Sequence, residues 1–298
     1  MQSADFLSAV FFYLKVGENL NQNWIVENLN NAFSTWNGKL GELWGLVTTG
    51  PQTFKGGAVW SVMQTLHNGM VGIGYALVVL FFAISLCKNT MNFHELKRPE
   101  AAIHYFLRFV AAKALVGYGM DIMLNIFSIC NGIVTDMANS MGGISEAMVS
   151  LPAEMQTAIE NVGFLASIPL WLVTILGSLF ITVLSFVMIL TVYGRMFKLY
   201  MYTAIAPIPL ATFAGEPTQS VGKNFIRSYA GVCLEGAIIA LACIIFSVFA
   251  ASPPAVGDTG LSAVTIVWNY IGELVFNLLV LVGAVKASDR IVKEIMGL

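Results

Sequence analysis

A chain of 298 residues with 57% hydrophobic and only 11% charged residues, at a mean hydropathy of +0.76, carries more apolar surface than one soluble core can hide, so its solvent is lipid. A net charge of −2 is too small to point by itself to a nucleic-acid or acidic-substrate partner. The four cysteines, Cys87, Cys130, Cys233 and Cys243, form no CxxC pair and sit in or beside apolar runs, where a thiol packs as a small hydrophobe. The expected fold is all-α and polytopic.

The amino-terminal MQSADFLSAVFFYLK has an apolar patch but neither a basic residue before it nor a small-residue cleavage site after it, so no cleaved signal peptide is expected. Further on, Ile25, Leu29, Phe33, Trp36, Leu40, Leu43, Trp44 and Val47 recur at helical spacing, while Asn23, Glu27, Asn30, Asn31, Ser34 and Asn37 fall on the other face. This predicts an amphipathic helix and no span, lying on the outer leaflet or contacting another subunit, in an extracytoplasmic region 1–60. Residues 61–298 read as a transmembrane helical domain. Five stretches reach the roughly 20 apolar residues that a span needs, at about 68–87, 101–129, 165–193, 228–250 and 262–285. Gly69, Gly72 and Gly74 in the first are expected to serve close helix packing.

GRMFKLYMYTAIAPIPLATFAG, residues 194–215, is a sixth apolar stretch, but Pro207 and Pro209 break a helix near its middle. Leu199 to Ala206 would rise only about 12 Å, less than half of the hydrocarbon core. Charge counting argues the same way. Lys88, Lys97 and Arg98 follow the first span, Arg195 and Lys198 the third; then come Lys223 and Arg227, and Lys286, Arg290 and Lys293 close the chain. The loops at 131–163 and 251–261 hold no Lys or Arg. With the sixth stretch non-spanning, ten of the fifteen basic residues share one side, which places the amino terminus outside and the carboxyl terminus in the cytoplasm. Residues 199–215 are therefore expected to form a re-entrant or interfacial hairpin turning at Ala206-Pro207-Ile208-Pro209. Its freed carbonyls would be covered by neighbouring helices or by water in a shared cavity. In the second case Arg195, Lys198, Lys223 and Arg227 would ring a cytoplasmic mouth, with Pro207 and Pro209 at its lip.

Ionisable residues inside spans either pair across the bundle or line a conduit. These are Arg108, Lys113, Asp121, Glu235 and Glu273, and Lys113 and Glu273, both near mid-membrane, are expected to compensate each other. Enzyme signals are absent: His94-Glu95 has its next histidine at His104, too far for a zinc-protease helix, and no P-loop or nucleophile motif occurs. No cofactor or metal is implied, and His67 has no ligand partner at metal spacing. No internal repeat is visible, which speaks against the common secondary transporters.

Two stretches, FLRFVAAKALVGYGMDIMLNIFSICNGIV (106–134) and the proline segment above, resemble the TrbL-like conjugal transfer proteins of Gram-positive mobile elements. Those are relatives of the VirB-six-like channel subunit of type IV secretion systems. The resemblance covers about residues 60 to 298. It implies a homo-oligomeric channel subunit in the cell membrane that works with assembly and coupling ATPases and other secretion subunits, passing single-stranded DNA with attached protein. It also implies five spans with the amino terminus outside. The alternatives are a small-solute or ion permease and a bacteriocin-immunity or export-accessory protein.

Overall fold

The structure, a computed structural model, describes residues 2–90, 99–141, 148–160, 162, 164–250 and 263–298. Lys97, Arg98, the Gly142-Gly143 break and the loop 251–261 lie outside them. The described residues form helices and no strand: α1 (Gln2–Thr48), a 3-10 turn (Phe54–Gly57), α2 (Ala58–Thr90), α3 (Pro99–Gly117), α4 (Gly119–Met141), α5 (Ala153–Glu160), α6 (Phe164–Ile205), α7 (Pro207–Ala211), a second 3-10 turn (Thr212–Ala214), α8 (Gln219–Ala250) and α9 (Ala263–Met296). Four segments are long and apolar enough to cross a membrane: Phe54–Lys88, Ser167–Ile205, Gln219–Val248 and Val264–Met296. The pair Ile103–Gly117 and Gly119–Asn139, bent by 72°, makes a fifth if taken as one span. The protein is an all-α polytopic membrane protein. Its five candidate spans contain or overlap the five expected stretches, with the second broken where Gly117 and Gly119 flank Tyr118.

Packing divides the chain into two compact units. The first comprises Met1–Trp44, Met141–Thr191 and Ala242–Lys286. In it the apolar stripe of α1 is covered by protein: Ile25, Leu29, Trp36, Leu40 and Leu43 are wholly buried. This corrects the expectation of a helix resting on lipid, because a face already buried by its own chain has no apolar area left to insert. Asn37 bonds the backbone of Val149 twice, its Nδ2 donating to the carbonyl at 2.8 Å and its Oδ1 accepting from the amide at 2.9 Å. Met155 and Ile159 of α5 are buried. The outer side of α6, with Leu172, Leu179, Phe180 and Leu190, is exposed, as suits a helix bathed in lipid.

The second unit comprises Gly45–Ser140, Val192–Leu241 and Ala287–Leu298. Its core joins Phe54, Val78, Val116, Met123, Phe127, Met196, Tyr200, Leu210 and Tyr229. The short α7 packs between α2 and α3. Gly74 makes that approach possible, since a methyl group there would lie 2.9 Å from both the Pro207 carbonyl oxygen and Val116 Cγ1. Gly69 and Gly72 face open space, so among the described residues Gly74 alone of the three glycines serves packing.

Candidate functional site

The proline segment is part of the second unit. Residues 199–205 complete α6 instead of opening a hairpin, and Pro207 begins α7 with Pro209 two residues later. Both prolines thus stand in a first helical turn, where amides lack intrahelical partners and a missing N–H removes little. Ala206 stays helical (φ −49, ψ −39), and the Leu210 amide donates to its carbonyl at 3.1 Å. In an unbroken helix the Pro207 position would donate to the Thr203 carbonyl. That orphaned acceptor is instead taken by His67, whose Nδ1 donates to it at 2.7 Å from a buried position on α2.

The segment keeps one direction beside α2. Thr203 meets His67, Pro207 meets Gly74, a methyl group at Gly215 would lie 3.0 Å from the Phe81 carbonyl, and the Glu216 amide reaches Ser85 at 3.5 Å. From His67 to Ser85 is about 27 Å of helix, nearly a hydrocarbon thickness. The expected turn at residues 206–209 is therefore corrected: the chain reverses at Gly215, which is extended (φ −108, ψ 135), and Thr218, whose Oγ1 donates to the Thr212 carbonyl at 2.8 Å. Then α8 returns, with Phe225 and Tyr229 against Tyr202.

Where α6, α8 and α9 meet lies a cluster of five charges. Arg195 is only 1% exposed; its Nε and Nη2 donate to the carbonyls of Val232 and Cys233, each at 3.2 Å, and Nη1 has no partner. Carbonyls inside a helix have a second lone pair, and Gly236 exposes these two: a methyl group there would lie 2.5 Å from the guanidinium carbon. Lys198 Nζ bonds Asp289 at 2.8 Å and lies 3.7 Å from the buried Glu235 Oε2, and Lys293 takes the other oxygen of Asp289 at 2.8 Å. A cavity of about 310 Å³ lined by Lys198, Tyr202, Glu235, Asp289, Lys293 and Leu298 adjoins the cluster. Such a network ties three helices together, and removing Lys198 would strand the buried Glu235 carboxylate.

The remaining candidates are scattered. Arg108 pairs with Glu216 at 3.6 Å, joining α3 to the turn before α8. Lys113, Asp121 and Glu273 have exposed side chains, and Lys113 and Glu273 belong to different compact units. Lys223 and Arg227 are exposed on α8, whereas Arg195 turns into the protein, so the four basic residues expected at one mouth do not share a rim. Lys55 Nζ stands 5.3 Å over Tyr193, and Tyr200 bonds the Pro51 carbonyl at 2.8 Å, which sets Lys198 toward the Lys55 end of α2. Lys88 is at the other end, although the charge count groups it with Lys198. The partner of Thr203, the Gly236 opening and the role of Asp289 went unread in the sequence; the offset of four between Pro207 and Thr203 was its one available clue.

Long apolar helices, one proline-broken leg and an ion cluster held by backbone define a polytopic membrane component with no catalytic constellation among the described residues. A family model, TrbL/VirB6 plasmid conjugal transfer like protein, matches residues 36–207, more than half of the chain, and the chain belongs to that family. The family is one of conjugal-transfer membrane components and is not a known enzyme family. No curated protein and no solved structure gives a significant match.

Proposed function

We propose that the chain is a channel subunit of a conjugative type IV secretion system in the cytoplasmic membrane of a Gram-positive cell. Several copies surround a conduit for single-stranded DNA with attached protein, and separate assembly and coupling ATPases supply the energy. The family match over residues 36–207 carries this reading. The exposed ionisable residues Lys113, Asp121 and Glu273 support it, because charges on membrane-length helices need water or a partner. Lys223 and Arg227, exposed on α8, are basic residues that would meet an entering polyanion.

Region 1–60 is extracytoplasmic and the Lys88 end of α2 cytoplasmic, following the positive-inside rule. A methyl group at Gly231 on α8 would lie 3.7 Å from Leu298 Cδ1, which supports a placement of Leu298 with the Lys55 end, unlike the charge count. With Cys87 replaced by Ser, we expect cysteines at Lys55 and Leu298 to label on intact cells and one at Lys88 to label only in opened cells. Labelling of Leu298 together with Lys88 would restore the charge-based placement. The function itself is tested by removing the gene: DNA transfer should be lost and should return with the intact chain. Transfer without it ends the proposal.

A further inference from the structure

Two charges of opposite sign stand in the apolar outer faces of membrane-length helices. On α3, Phe109 packs against Phe82 of α2 with ring centroids 4.8 Å apart, and Val116 meets the Gly74 position. Midway between these contacts lie Lys113 on one helix and Val78 on the other. Lys113 is therefore level with the centre of the apolar stretch 68–87, about 15 Å of helix from either end. Its side chain is exposed, in a face shared at helical spacing with the exposed Phe106 and Val110. On α9, Glu273 stands at the centre of the stretch 262–285, exposed on one face with Phe276 and Val280. Among the described residues neither charge has an ion-pair partner, whereas Arg108 has Glu216 and Lys198 has Asp289.

Hydrocarbon leaves a full charge unsolvated. A lysine that bends its stem toward an interface does so near a helix end, not from the middle of an apolar stretch. Bulk water does not reach a face whose neighbouring side chains on α3 are phenylalanine and valine. An opposite charge on another helix satisfies both groups at once.

We infer that Lys113 of one copy pairs with Glu273 of the next, so that α3 and α9 form the contact between neighbouring copies of this chain. This rests on the reading above, in which several copies assemble. The signs are complementary, and each charge has an exposed small residue beside it, Ala114 on α3 and Gly272 on α9, where helices can approach closely. A methyl group at Gly272 would meet nothing within 4 Å, so the space beside Glu273 is open. Asn269, exposed one turn before Glu273, adds an amide to the same face. The contact joins unlike surfaces, and each copy meets one neighbour through α3 and another through α9. Because the membrane holds all copies in one orientation, repeating that contact turns about the membrane normal and closes a ring. Assembly and the pairing of two stranded charges are then one event.

The test keeps both charges and uses the full chain in transfer-competent cells. A photoreactive diazirine residue in place of Ala114 should, on irradiation, couple to α9 near Glu273 of a second, differently tagged copy, and the assembly extracted in mild detergent should weigh more than two copies. Lys113→Glu should lower the coupled product by about tenfold or more, since like charges then face each other. Adding Glu273→Lys to the same chain should restore it, which shows that the single variant failed in pairing and not in folding. Absence of coupling between copies, coupling to α9 of the same chain only, or a product indifferent to both charge changes overturns the interface; an assembly of two copies overturns the ring. Transfer that survives removal of the gene sinks the conjugal reading instead, and the coupling still decides whether copies meet through these helices.

Discussion

The interior of the second unit and the outer face of α4 handle polar groups in opposite ways. Inside, several buried side chains donate to backbone carbonyls: Arg195 to two carbonyls of α8, His67 to the carbonyl that Pro207 orphans, Tyr229 to the Met123 carbonyl at 3.0 Å. On α4, amides and hydroxyls follow each other down a helix face and stay exposed. In a chain whose solvent is lipid, the first pattern holds helices together and the second marks where water reaches. A single polar residue in a span says little; its covering says which role it has.

The comparison breaks most sharply at Gly236. Gly236→Ala pushes a methyl group into the Arg195 guanidinium and should destabilise the protein by about 3 kcal/mol or more in detergent melts. Adding Arg195→Leu should recover part of that loss; a double variant as unstable as the single one would show that the opening at Gly236 serves something other than Arg195. Gly74→Ala should cost about 1–3 kcal/mol by driving α2 away from the Pro207 carbonyl. Gly72→Ala, which meets only open space in this chain, should be near neutral, and equal losses at both would contradict the packing of α7.

His67→Leu leaves the Thr203 carbonyl unpaired and should cost about 1–3 kcal/mol. Pro207→Ala restores an amide four residues after Thr203, so His67→Leu should be milder in that background. A double-mutant cycle measures the coupling, and additive losses would mean that His67 caps nothing. The smallest effect belongs to α4: Asn125→Ala and Ser128→Ala on the exposed face should change stability by less than about 0.5 kcal/mol. A large loss there would mean that the stripe packs against protein.

Much of the fold was legible. Runs of apolar residues long enough for a membrane announce helices because lipid satisfies no backbone group, and all five stretches met helices or the bent pair. The α1 stripe was legible too, from Ile25 to Val47, since a period of 3.6 shows which residues share a face. It did not say what covers that face, because lipid, another subunit and the same chain look alike to an apolar surface. The site was less legible. Arg195 and Lys198 read as rim charges because topology rules count basic residues near span ends, and nothing local distinguishes a lysine facing water from an arginine that a distant glycine admits.

What the sequence determined by itself was therefore one-dimensional: the solvent, the helices, their faces, and the fact that Pro207 frees a carbonyl. These depend on residues within a few turns of each other. Which atoms answer those needs was left to tertiary structure. His67 lies 136 positions from Thr203, and Val232 lies 37 from Arg195. Helix pairs can slide and rotate through many arrangements with nearly equal apolar burial, and only in the packed arrangement do a histidine, a missing side chain and a freed carbonyl come within hydrogen-bond distance.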